Sequence, residues 1–195
     1  MKEIFYEESS VVQNVKSANV KYNIFRTISI VSYVLMTLWI LIIFFTLNLK
    51  ANWILNLIFY LIPLILFFLS GFLFGRFKNK LYMDYDYTFV TGSIRVAKVI
   101  KNIKRKFIIK FDAKDIEKIG KYDSGTYQKY LSMPGVVKMI FTSNYSATDG
   151  KDFYYIVASI DGDKKLMVFE CTELFIVNVL KFSNKSVLEE EFAHR

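Results

Sequence analysis

The chain has 195 residues, with 26 lysines and arginines against 18 acids for a net charge of +8, and 53% of its residues are hydrophobic. An aromatic content of 17% excludes a disordered chain, and a single cysteine, Cys171, excludes a disulfide scaffold. The only histidine, His194, is the penultimate residue, a poor place for a general base.

After a flank of residues 1–26, residues 28–47 (ISIVSYVLMTLWILIIFFTL) and 54–75 (ILNLIFYLIPLILFFLSGFLFG) carry no charge. As helices these runs reach about 30 and 33 Å, matching a hydrocarbon core of ~30 Å. The first run is too long and starts too late for a signal peptide, and no small-x-small cleavage site follows it. Both runs are expected as membrane spans of one antiparallel hairpin, residues 27–75, joined by a short turn at 48–53.

Lys2, Lys16, Lys21 and Arg26 precede the first span, Lys50 alone lies in the turn, and Arg76, Lys78 and Lys80 follow the second. That bias predicts both termini on the cytoplasmic side of the plasma membrane. Tyr22, Trp53 and Tyr82 fall near the expected interfaces. No ionisable residue lies in either span, which argues against a proton relay or ion pathway. Gly71 and Gly75 match the small-xxx-small pattern that lets two helix backbones approach closely, as in dimerisation, against two ordinary membrane glycines.

Beyond a six-residue tether, 76–81, apolar residues alternate instead of running on. Met83, Tyr85, Tyr87 and Phe89 give a half-buried strand; Thr91-Gly92-Ser93 is a turn, and 94–100 (IRVAKVI) is a second strand. A basic turn leads to 106–111, where Phe107, Ile109 and Phe111 are expected on one face. Further strands are predicted at 116–122, 136–142, 153–160 and 164–170, the last two joined by Asp161-Gly162-Asp163. A short helix fits 123–134, and 172–182 fits a closing helix capped by Thr172 with Glu173 in its first turn. From Glu189 onward the tail is expected to be solvated.

Seven strands in a meander closed by one helix, over 82–185, resemble the pleckstrin-homology superfold, particularly bacterial membrane-tethered versions. With its opening Met1-Lys2-Glu3-Ile4-Phe5-Tyr6-Glu7-Glu8-Ser9, the whole chain is similar to a domain-of-unknown-function family of clostridial two-span membrane proteins. The resemblance implies an α+β chain: a transmembrane helical hairpin, then a seven-stranded antiparallel β-barrel with a C-terminal helix and a tail at 186–195. It implies no activity. Phosphoinositide-binding members carry a basic loop between their first two strands, a place taken here by Thr91-Gly92-Ser93, and a tryptophan in the closing helix, absent from 172–182. Stereospecific inositol-phosphate recognition is therefore not implied.

Nothing in the sequence arranges a catalyst, a metal site or a cofactor cradle, so a non-enzymatic protein without cofactor is expected. Asp84/Asp86 and Asp161/Asp163 fit the outer face of a strand and a turn. The concentrated feature is cationic: Arg95, Lys98, Lys101, Lys104, Arg105, Lys106 and Lys110 fall in a stretch with no acid between Asp86 and Asp112. Such a stretch suits anionic lipid headgroups or an acidic protein partner, or serves as a solvated edge. Nucleic acid is not expected, because no recognition helix or stacking motif accompanies the charge. The expected function is a membrane-anchored binding module; the alternative is an accessory subunit of a larger membrane complex such as a transporter or envelope-assembly machine.

Overall fold

The computed structural model describes residues 4–46, 53–184 and 187–189. Lys2, the turn residues 48–52 with Lys50, and the tail from 190 with His194 lie outside them. The chain separates into two compact units, one of Asn14–Tyr82 and one combining Met1–Gln13 with Met83–Arg195.

The first unit is two helices, α1 (Val15–Thr46) and α2 (Trp53–Leu81). At a rise of 1.5 Å per residue they are ~48 and ~44 Å long, more than a bilayer core requires. The expected flank therefore turns helical soon after Gln13: the Ser17 N–H donates to Asn14 Oδ1 at 2.9 Å and satisfies a free donor of the first turn. The expected tether 76–81 is likewise the end of α2, rising ~9 Å where an extended chain would reach ~20 Å.

Antiparallel contacts join the helices. Ser29 Oγ donates to the Gly71 carbonyl at 2.8 Å, the Ser32 and Ser70 hydroxyls lie 3.0 Å apart, and Trp39 Nε1 donates to the Tyr60 carbonyl at 2.9 Å. Most of their apolar side chains are uncovered, Phe44 and Phe45 being 82% and 81% exposed. A core helix of a soluble protein would bury such groups, so both helices are long and apolar enough to cross a membrane.

Among the described residues, the second unit holds eight strands, one more than expected, in two separate four-stranded sheets and not a closed seven-stranded barrel. The additional strand is β1 (Phe5–Ser10), which lies before the helices in sequence. It pairs antiparallel with β2 (Met83–Val90), Phe5 opposite Val90 and Ser10 opposite Tyr85. Then follow β3 (Ser93–Ile100) and β4 (Lys104–Asp112), completing the order β1-β2-β3-β4. The helical hairpin is thus inserted between two neighbouring strands of one sheet.

The second sheet contains β5 (Ile116–Lys121), β6 (Val137–Phe141), β7 (Asp152–Ile160) and β8 (Asp163–Cys171) in the order β5-β7-β8-β6. The expected meander fails at β6, which crosses over to pair parallel with β8. Alternation tells which face a residue occupies, but not which strand lies beside it.

The inner faces of the sheets meet in one core that includes Tyr87, Phe89, Ile94, Ile156 and Phe169. Helix α4 (Glu173–Leu180) closes it with Phe175, Ile176 and Val179. Helix α3 (Gly125–Ser132), capped by Ser124, covers the outer face of the second sheet, where Tyr127 packs on Tyr155. Three local expectations change. A bulge between Val96 and Ala97 shifts the phase of β4, so Ile109 and Phe111 point inward while Phe107 is left 60% exposed. Thr172 holds the N-cap position without capping through its side chain. Glu189 is buried, its N–H bonded to the Ile119 carbonyl at 2.9 Å, because Gly120 has no Cβ to exclude it.

Candidate functional site

The seven cations all lie on β3, β4 and the turn between them, but they do not form one face. Register sets Arg95 opposite Lys110 and Lys98 opposite Lys106. Alternation from the buried Val96 puts the first pair on the outer face, and beyond the bulge Lys98 stands on the opposite side, across from Tyr85 of β2. Like charges directly opposite one another destabilise a ladder, so these pairs cost the sheet stability. Arg105 is engaged: it pairs with Asp86 at 2.5 Å and approaches Glu7 at 3.7 Å. Lys101 opens the turn and Lys104 follows it, and Ile103, the last residue of the turn, is 82% exposed.

Position along the sheet matters as much as face. Met83, the first residue of β2 and two residues past the end of α2, is the register partner of Ile100, the last residue of β3. Ser10, near which the chain leaves for α1, is opposite Tyr85. The basic turn 101–103 therefore lies at the end of the first sheet where the chain departs and returns. Partnered Cα atoms in an antiparallel ladder are only ~5 Å apart.

A loop the sequence did not mark, residues 142–151, grips both of these chain ends. Ser143 Oγ donates to the Met83 carbonyl at 2.5 Å on the returning side. On the departing side, Asn144 Nδ2 donates to the Val11 carbonyl at 2.8 Å and the Gln13 N–H donates to Asn144 Oδ1 at 3.1 Å. Lys151 Nζ donates to the Ser9 carbonyl and pairs with Glu8 at 3.3 Å.

The loop is organised around Glu170, fully buried at the end of β8. Its carboxylate accepts from Ser10 Oγ (2.6 Å), Thr142 Oγ1 (2.5 Å), Asn144 Nδ2 (2.8 Å), and the Thr148 N–H and Oγ1 (3.0 and 2.9 Å). Burial pushes this carboxyl up, but the donors of Ser10, Thr142, Thr148 and Asn144 outweigh it and hold it below the ordinary carboxylate range. Glu8 acts similarly on the start of α4, accepting from the Thr172 N–H at 2.9 Å and from Thr172 Oγ1 at 3.0 Å. Glu8 thus fixes the N-cap residue of α4 from β1, while the Thr172 side chain caps no N–H of the helix.

Asp84 and Asp86 occupy the outer face of β2 as expected, but both are buried. The Val12 N–H donates to Asp84 at 2.8 Å, and Ser9 Oγ donates to Asp86 at 2.8 Å. Burial lifts the Asp84 carboxyl above its usual range; the Val12 N–H opposes the rise and the Asp86 charge adds to it. Cys171 is fully buried at the end of β8, where burial and then the Glu8 charge push its thiol well up. Gly71 and Gly75 face α1 of the same chain: a Cβ on Gly71 would meet the Tyr33 ring at 2.9 Å, and one on Gly75 would meet Ser29 Oγ at 3.1 Å.

Sequence reasoning missed Glu8, Ser10, Asn144 and Glu170. The available signal was Glu170 alone, a glutamate closing a segment that otherwise reads as a strand, a position that is costly unless the carboxylate is hydrogen-bonded.

Residues 7–189 match the family described as Bacterial PH-like domain (DUF6106). No curated protein and no solved structure matches the chain.

Proposed function

The chain belongs to the Bacterial PH-like domain family, and on that footing we propose that it is a non-enzymatic, membrane-anchored binding module. Its β unit lies at the cytoplasmic face of the plasma membrane and docks the anionic lipid surface through the turn between β3 and β4. The supporting observation is the pairing of Met83 with Ile100, which sets the basic turn at the end of the sheet where the chain enters and leaves its spans. Because β1 and β2 pair directly, the two ends of the helical hairpin return to one side, in keeping with the lysine and arginine bias of the flanks.

An exposed Ile103 between Lys101 and Lys104 suits a headgroup layer, where the side chain enters the acyl boundary and each cation near the surface contributes ~1 kcal/mol. With eight strands, the connection between the first two is no longer Thr91-Gly92-Ser93 but the helical hairpin itself. The place that holds a basic lipid-binding loop in phosphoinositide-binding relatives of the fold is here an apolar anchor. The accessory-subunit reading drew on the Gly71/Gly75 face and on Asn56, and α1 of the same chain occupies the first of these.

The test uses the full chain in nanodiscs, because a fragment beginning at residue 81 would lack β1. An environment-sensitive fluorophore on Ile103→Cys labels selectively, since the native Cys171 is buried. Emission is expected to shift to the blue in anionic relative to neutral lipid at low salt, and the shift to vanish in Lys104→Glu/Lys106→Glu. Arg105 is left in place because reversing it would set a third carboxylate beside Asp86 and Glu7. Equal emission in both lipids would sink the lipid-docking reading.

A further inference from the structure

A cavity of about 390 Å³ opens on the outer side of the second sheet beside α3. One wall is Ile140, Phe153, Val168 and the Tyr122 ring; the other is the loop run 142–145, with Tyr145 overhanging it fully exposed. Its volume falls in the ~300–1,000 Å³ range of small-molecule sites. No charged side chain lines it. The polar groups of the loop wall are already engaged: Thr142 with Glu170, Ser143 with Met83, and Asn144 with Glu170, Val11 and Gln13. What the cavity offers an incoming molecule is ring faces and aliphatic surface, with hydroxyl oxygens at the rim.

The same residues that form this wall bond to the β unit's own chain where it leaves for the hairpin and returns from it, at Val11, Gln13 and Met83. We propose that the cavity binds a small neutral molecule with an aromatic ring, and that its occupancy is transmitted through Ser143 and Asn144 to the chain on either side of the hairpin. A ring seated between Tyr145, Phe153 and Ile140 restrains the 142–145 run. That restraint reaches the Gln13 N–H through Asn144 Oδ1 and the Met83 carbonyl through Ser143 Oγ. The coupling follows two discrete hydrogen-bonded contacts and needs no movement of either sheet. It is independent of whether the basic turn touches lipid.

The probes are phenol, a neutral ring, and benzoate, its charged counterpart, added to the full chain in neutral-lipid nanodiscs. Ligand-observed NMR is expected to report saturable phenol binding, at least tenfold weaker benzoate binding, and loss of the phenol signal in Ile140→Trp, whose indole fills the cavity. Partition into the bilayer is common to both proteins and cancels in the comparison. Tyr145→Ala, at a fully exposed position that cannot unfold the domain, is expected to weaken phenol at least threefold and keeps the test open should Ile140→Trp misfold. Hydrogen exchange at the Gln13 amide is expected to slow at least threefold with phenol and to stay unchanged in Ile140→Trp. Phenol binding that neither substitution alters would overturn the site, as would benzoate binding as tightly as phenol; binding without any change at Gln13 would overturn the coupling.

Discussion

The two units use similar residues to opposite ends. In the β unit, Tyr87, Phe89 and Phe169 are fully buried and charged groups surround them; in the helical unit, Phe44 and Phe45 point outward and the serines point inward, Ser29 and Ser32 being among the few buried side chains of α1. A solvent that rejects phenylalanine organises the first, and a medium that accepts it suits the second. Polar groups divide in the same way. Serine hydroxyls join α1 to α2, whereas in the β unit carboxylates are the centres, Glu170 gathering its donors from β1 and the 142–151 loop.

The largest expected contrast comes from one substitution made in both places. Phe89→Ala opens a cavity in the core and is expected to cost about 3–5 kcal/mol, whereas Phe45→Ala, at a side chain that packs little within the chain, should leave the β unit unchanged. Pulse proteolysis of the full chain in nanodiscs measures both. Equal losses would erase the distinction between the units.

The carboxylates sharpen the comparison through pH. Glu170 has a depressed folded-state pKa, so its contribution to stability is present above the unfolded pKa and is lost as pH falls through the folded one. Asp84 has a raised folded-state pKa, so its contribution is full below the unfolded pKa and is lost as pH rises through the folded one. Melting curves across the acid range are therefore expected to separate two variants. Glu170→Gln should lower Tm at neutral pH and less so in acid; Asp84→Asn should raise Tm at neutral pH and have little effect in acid. The same sign for both at neutral pH would contradict these assignments.

The smallest effect concerns the helices alone. A Ser32→Cys/Ser70→Cys pair is expected to cross-link readily, because the native hydroxyls are 3.0 Å apart. Adding Gly71→Leu, whose Cβ meets the Tyr33 ring at 2.9 Å, should lower the cross-linked fraction on non-reducing gels without shifting the Tm of the β unit. Unchanged cross-linking would mean that α1 does not need the glycine.

How much of this was legible in the sequence depended on where each residue's partner lies. The two long apolar helices read directly from residues 28–47 and 54–75, since an uncharged run long enough to cross a bilayer needs no knowledge of its neighbours. Strands β2, β3, β7 and β8 read from alternation and from left-handed turns such as Asp161-Gly162. The cations of the candidate site were legible as a cluster, but their division between faces was not, because the Val96/Ala97 bulge reverses the phase of half of β4.

Strand β1 stayed hidden for a related reason. Glu8 and Ser10 occupy inward positions, so its pattern is polar on both faces, and what makes it a strand is β2, on the far side of the helical hairpin. The sequence by itself determined the two apolar helices, the order of most strands and an excess of charge at one turn. Only the tertiary structure decided that the hairpin interrupts a sheet, that a loop around Glu170 holds Val11, Gln13 and Met83 in the β unit, and that the basic turn lies at the same end of the first sheet as Met83. Local pattern records the environment of each residue, whereas pairing between segments this far apart in the chain is settled by packing and hydrogen bonds that form only once the chain has folded.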